Sequence, residues 1–205
     1  MSMIRNFALI VLSVLAFQSV SHAETPAGQQ GGRSAEFESF LSESNTAGYL
    51  LYARDHKRPN TTAANTTVGV DERELQCLTK NIYHEAKGES KEGKFAVGLV
   101  TINRKEDGRF PSTICGVVNQ KTRSVCQFSW RCQKVKAPDI NSESWRESRR
   151  VAMALLTLPN IYDGLKKKYG NALYFHAVYA RPSWSRTKHK VAQIGAHLFY
   201  RDRGH

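Results

Sequence analysis

The chain has 205 residues, 40% of them hydrophobic and 23% charged, which places most of it in one soluble globular domain with additions and sets aside an extended or fully disordered class. Thirty Lys and Arg against 18 Asp and Glu give a formal net charge of +12. Such a surplus suits a polyanionic neighbour, whether nucleic acid, a membrane surface or an anionic cell-wall polymer, and does not choose among them.

The first residues narrow that choice. Arg5 precedes an apolar run from Phe7 to Phe17, followed by Ser21-His22-Ala23. A short basic start, a short apolar core and a small-x-small site predict a secretory signal over residues 1–23 that is removed on export. The run is shorter than the roughly 20 residues a membrane span needs, so no stable membrane insertion is expected after cleavage. Residues 24–70 are rich in Ser, Thr, Asn, Gln and Gly, a linker composition that predicts a tether or mobile arm. Phe37, Phe40 and Leu41 mark one short helix inside it, and Asn60-Thr61-Thr62 and Asn65-Thr66-Thr67 fit a glycosylation acceptor.

From Asp71 the chain becomes dense in apolar and aromatic residues, and 71–205 is long enough for one core. A first helix is predicted from Asp71 to Lys87, stopped at Gly88. Leu75, Leu78, Ile82 and Glu85 lie on one face of it, at spacings of three, four and three. A carboxylate that closes an apolar stripe is costly to bury as a charge. It therefore sits either at the rim of the fold or in a cleft with a raised pKa, as a general acid requires. A second helix is predicted from Ser90 or Lys91 to Asn103-Arg104, buried on most sides, and a short one from Ser112 through Val118. Cys126-Gln127-Phe128-Ser129-Trp130 alternates as a half-buried strand does, with Gln127 and Ser129 on one face. A third long helix is expected over 142–158, then strands near 171–179 and 193–200. Helices first and short strands later predict an α+β class.

Cys77, Cys115, Cys126 and Cys132 are an even set that suits two disulfides in an oxidising compartment. Three pairings are possible. Cys126 with Cys132 closes the shortest loop, which leaves Cys77 with Cys115. A zinc site is not expected, since no Cys-x-x-Cys pair is present and His84-Glu85-Ala86-Lys87-Gly88 has Gly where a zinc-protease helix has its second His.

Seven stretches in order carry a resemblance: Cys77 to Glu89, Glu92 to Gly98, Ile102-Asn103-Arg104, Phe110 to Val118, Cys126 to Trp130, Ala172 to His176, and Ile194 to Tyr200. Together they resemble the SleB/CwlJ cell-wall hydrolase family. The resemblance implies a lysozyme- or transglycosylase-like helical core with a small antiparallel sheet, and cleavage of the peptidoglycan glycan strand. In that family the glutamate of Tyr-x-Glu-Ala-Arg-Gly-Glu is the catalytic acid, and Glu85 is the matching residue. Lys87 replaces the family's Arg, keeping the charge and losing the planar fork. Tyr174-Phe175-His176-Ala177 departs from the Tyr-Phe-Tyr-Asn-Pro of the spore enzymes, so a preference for modified spore-cortex sugars is not carried over.

Two flanking carboxylates are the usual glycosidase arrangement, but no partner for Glu85 stands at a recognisable spacing. The reading is therefore a single-acid lytic transglycosylase over 71–205, with peptidoglycan as partner and neither cofactor, metal nor nucleic acid. A water-using hydrolase and a non-catalytic basic wall-binding protein are the alternatives. Gln127, Ser129, Tyr174, His176, His197, Asn103 and Trp184 are the candidate substrate-binding residues. Glu89 and Glu92 suit the first turn of the second helix, where its dipole favours acids.

Overall fold

Asp71 caps the first long helix: its carboxylate accepts from the Arg73 N–H at 2.8 Å, worth about 1 kcal/mol. The computed structural model describes residues 35, 37–41, 70–123 and 125–204. The expected export signal and the Asn60 and Asn65 acceptor sites lie outside them. Helix α1 runs over Glu72–Ala86 and buries Leu75, Leu78 and Ile82 completely, about 1.5–3 kcal/mol each. Helix α2, Lys91–Glu106, is capped by Ser90 and buried from Glu92 to Arg104. It crosses α1 and α4 at Gly98, where an added Cβ would lie 2.4 Å from Leu155 Cδ1 and 3.1 Å from Ile82 Cδ1. Only a residue without a side chain admits that approach.

Helix α3, Ile114–Asn119, is short, and α1 holds it twice. Glu74 accepts from the Ile114 and Cys115 N–H groups at 2.6 and 3.2 Å, capping α3 from another helix. One turn along α1, Cys77 is bonded to Cys115; the second disulfide joins Cys126 and Cys132. Both pairings are those expected. Thr113, rather than Ser112, caps α3.

The predicted strand over 126–130 is replaced by shorter pieces. β1 (Lys121–Thr122) and β2 (Val125–Cys126) form a small hairpin, and Ser129–Arg131 is a 3-10 turn. The alternation nevertheless holds in burial, with Gln127 and Ser129 exposed and Phe128 and Trp130 buried. Helix α4 (Glu143–Thr157) lies where a helix over 142–158 was expected, with Ser142 as its cap. Helix α5 (Pro159–Tyr169), with Pro at its start, was not expected.

Strands β3 (Tyr174–Ala177), β4 (His189–Ile194) and β5 (His197–Arg201) form an antiparallel sheet in the order β3-β5-β4. The fold is thus α+β, a helical core with small antiparallel sheets. Phe175, His197 and Phe199 share the sheet face turned to the core, while Tyr174, His176 and Tyr200 share the other. Within the stretch read as an arm, residues 37–41 are helical and dock on the core. Phe37 is 1% exposed and lies 5.6 Å from the Phe95 ring, Leu41 is equally buried, and Glu38 pairs with Lys91 at 2.7 Å. Composition hid these contacts because three apolar residues in five are diluted by the polar sequence around them.

Candidate active site

Glu85 is the penultimate residue of α1, continuing the stripe of Leu78 and Ile82 out of the core. It is half-buried, and loss of solvent around the carboxyl pushes its pKa up to about 7. The guanidinium of Arg104, on α2, pulls the other way and is outweighed. Arg104 is 3% exposed, and burial lowers its own pKa to about 10, which leaves it charged at neutral pH.

Arg104 is fixed on several sides. Its Nε donates to the Leu173 carbonyl at 2.7 Å. Its guanidinium carbon lies 5.3, 5.5 and 5.9 Å from the ring centres of Phe128, Phe110 and Tyr174. With its amide oxygen turned inward, Gln127 accepts from both terminal nitrogens at 3.0 and 3.2 Å. A cation held this way cannot swing aside, so it faces Glu85 as a fixed counter-charge. The sequence carried one sign of it: Arg104 follows Val97 and Val100 at spacings of three and four, on one helix face.

One turn before Glu85, Asn81 is fully buried and bridges three elements. Its amide donates to Thr101 Oγ1 on α2 at 3.0 Å and its oxygen accepts from Trp130 Nε1 at 3.1 Å. The Trp130 indole stacks on His84 at 4.4 Å with planes 20° apart, and burial together with the cations of Lys87, Arg131 and Lys80 lowers the His84 pKa. Tyr83 packs edge-on against Trp145. Residues 81–85 therefore present a rigid aromatic shelf beside the carboxyl.

Just beyond α1, Glu89 ties the helix junction to the sheet. One carboxylate oxygen accepts from the Ala196 N–H at 3.1 Å; the other lies 3.7 Å from His197 Nδ1. Gly195 opens the two-residue β4–β5 turn with φ +54°, and a Cβ there would lie 1.9 Å from Glu89 Oε2. Lys94, 4% exposed, donates to the Glu89 carbonyl at 2.6 Å and pairs with Glu147 at 2.9 Å. Glu92 is engaged elsewhere, with the Tyr169 hydroxyl and Lys168.

The remaining sequence candidates fall into distinct places. Gln127 meets Arg104 beside Glu85, and Ser129 is exposed at the start of the 3-10 turn next to it. His197 is on the core face of the sheet, edge-on to Phe175, and burial lowers its pKa against the raising effect of Glu89. Tyr174, His176 and Trp184 form one aromatic group with Tyr200 on the other face: Trp184 lies 5.7 Å from Tyr174, 5.5 Å from His176 and 5.6 Å from Tyr200. Asn103 has both ends of its amide occupied, by the Ala172 carbonyl at 3.0 Å and the Tyr162 hydroxyl at 3.2 Å, as a loop-holding residue does.

A family model described as Cell Wall Hydrolase matches residues 88–200, more than half of the chain. The spore cortex-lytic enzyme of Oceanobacillus iheyensis is 32% identical over 141 residues, covering 68% of this chain and 45% of the relative. That of Bacillus subtilis is 26% identical over 143 residues, covering 70% and 42%. The chain thus spans about half the length of the curated relatives it matches. The crystal structure of the catalytic domain of the Bacillus cereus SleB protein is 24% identical, covering 69% of this chain and all of that one, with a TM-score of 0.47.

Proposed function

The chain belongs to the cell wall hydrolase family, and from that premise we propose that it is an exported enzyme cutting the glycan strand of peptidoglycan, with Glu85 as both acid and base. The observation that carries this reading is the carboxyl of Glu85, desolvated to a pKa of about 7, with Arg104 as the charge that acts on it. A carboxyl that holds its proton near neutrality can donate it to the glycosidic oxygen between MurNAc and GlcNAc as that bond breaks. The resulting carboxylate is stabilised by the fixed guanidinium of Arg104.

The lytic transglycosylase reading is supported by how the neighbouring carboxylate is used. Glu89, the nearest in sequence, accepts from the Ala196 N–H and is turned to the β4–β5 turn. Glu85, now charged, takes the proton of the muramoyl 6-hydroxyl as that oxygen attacks the anomeric carbon, giving a 1,6-anhydro end and returning the acid to its starting form. No water is consumed. The net charge of +12 holds the enzyme on the anionic wall without specifying the bond.

Mass spectrometry of digested sacculi tests the outcome. Anhydro-muramoyl ends are expected; reducing ends would replace the transglycosylase by a hydrolase. Sacculus binding without any cleavage by the wild-type chain would reduce it to a wall-binding protein.

A further inference from the structure

Lys80, His84 and Lys87 stand at spacings of four and three, so they share one face of α1, the last of them as its cap residue with helical dihedrals. That face lies outside the apolar stripe, with His84 about 100° round the helix from Glu85. Arg131 reaches the same place from the 3-10 turn. Its guanidinium carbon is 5.2 Å from the Trp130 ring centre, and Trp130 stacks on His84 at 4.4 Å. Lys87 Nζ lies 5.3 Å from the Tyr83 ring centre. After burial, it is Lys87, Arg131 and Lys80 that lower the His84 pKa, so all three stand about one ring.

The acids around these cations are used elsewhere. No Asp or Glu lies between 76 and 84 or between 125 and 138. On either side of Lys87, the Glu85 carboxyl is half-buried with Arg104 acting on it, and Glu89 accepts from the Ala196 N–H. On α4, which packs on Tyr83 through Trp145, Glu143 pairs with Arg146 and Arg150, and Glu147 pairs with Lys94. Lys80, Lys87 and Arg131 are all exposed, and none of them makes an ion pair among the described residues. Like charges gathered on one face repel, and bound anions relieve them.

We propose that Lys80, Lys87 and Arg131 hold the carboxylates of the peptide stem borne by the muramoyl sugar, an assignment that rests on the glycan-strand reading. The cations are spread out rather than gathered round one point. Lys80 and Lys87 are seven residues apart, about 10.5 Å along the axis, the reach of roughly three residues of extended peptide. That spacing suits single charges carried at intervals on a chain, whereas a phosphate is matched by donors converging on it. A stem peptide is such a chain, with a carboxylate at its end and others on its acidic residues. It leaves the sugar through the lactyl group, so its charges fall to the side of the bond being cut, as these cations fall to the side of Glu85. Arg131 beside Trp130 and Lys87 beside Tyr83 are already partly ordered, and lose less freedom on binding than unsupported side chains do. The face thus favours muramoyl residues that carry a charged stem over bare glycan.

The full chain carrying Glu85→Gln, which should bind without cutting, is titrated at low salt with a disaccharide tetrapeptide released from sacculi. The same compound with its carboxylates converted to amides is titrated beside it. The free acid is expected to bind roughly tenfold more tightly, as three exposed ion pairs allow, and to shift the backbone amides of 80–87 and 129–132. K80A/K87A/R131A should bring the two ligands to equal affinity. K167A/R186A/K190A, the same loss of charge at exposed positions elsewhere, should keep the preference. Lys80→Glu alone, at an exposed position, should lower the preference in the same direction should the triple variant melt early. Equal affinity of the parent chain for acid and amide, equal loss in both triple variants, or no binding of either ligand would overturn the site. Cleavage of sacculi by the wild-type chain is read separately: a chain that cuts nothing yet keeps the preference retains the stem site and loses the glycan-cleaving reading.

Discussion

The Arg104 guanidinium acts on the Glu85 carboxyl against the effect of burial, and between them they leave its pKa raised to about 7. The acid is therefore held within reach of both protonation states near neutrality. The rate should be highest below pH 7 and fall as pH rises through about 7, tenfold per unit beyond it, because the proton-donating form is lost. Glu85→Gln should lower cleavage by at least 10²–10⁴-fold while leaving sacculus binding intact. Measured kcat/KM against pH checks the first, and undiminished lysis by the variant would remove Glu85 from the chemistry.

The same shift has a sign in stability. The folded pKa of Glu85 lies above its unfolded value of 4.5, so between these two values the native state holds a proton that the unfolded chain has released. Stability must then fall as pH rises from about 4.5 to about 7. Glu85→Gln should flatten that slope and stabilise the protein at pH 8, on the order of 3 kcal/mol at most. Urea titrations at pH 5 and pH 8 read it; a variant no more stable at pH 8 would mean that the carboxyl is well hydrated.

Replacing Arg104 by Met keeps length and removes the cation. Without it the carboxyl should hold its proton more tightly, and the alkaline limb of the rate profile should move above pH 7. The variant also strands the buried Leu173 carbonyl, at about 1–3 kcal/mol, while the exposed Gln127 amide can turn to water. Pairing the pH profile with a melting curve separates the two effects, since simple loss of fold would lower the rate at all pH values alike.

Glu89 and Gly195 make a matched pair for a positioning test. Gly195→Ala puts a Cβ where Glu89 Oε2 now lies and forces a side chain into φ +54°, a strain of about 1–3 kcal/mol. It should pull the hairpin away from the end of α1 and lower activity as Glu89→Ala does. Glu89→Gln retains an acceptor for the Ala196 N–H and should recover most of it. A Glu89→Gln variant as slow as Glu89→Ala would show that the charge, rather than the latch, matters.

How far these features could be read beforehand depended on whether they announce themselves locally. Helix α1 was legible because Leu75, Leu78 and Ile82 repeat at helical spacing, and Glu85 because it breaks that stripe. Helix α5 was hidden: Gly164 and the run Lys166-Lys167-Lys168 mask the buried pair Ile161 and Leu165. Arg104 was passed over as a helix end, since of its five supports only Phe110 is near in sequence, and Leu173, Tyr174, Phe128 and Gln127 are not. The pairing of Glu89 with His197 likewise depends on a turn more than a hundred residues away.

The docking of 37–41 is open to direct measurement. Phe37→Ala should cost about 3–5 kcal/mol, because the ring is fully enclosed against Phe95 and beneath Lys168. A denaturation midpoint unchanged from wild type would show that the segment contributes nothing to the core.

The stack of Trp130 on His84 makes the protein its own optical instrument. A protonated imidazole quenches an indole it touches, so emission from Trp130 should dim as His84 gains its proton, at a pH below the ordinary histidine range. With Trp145 and Trp184 replaced by Phe, that signal arises one residue from Glu85. It would report, without label or substrate analogue, when a glycan enters and displaces water from the neighbouring carboxyl.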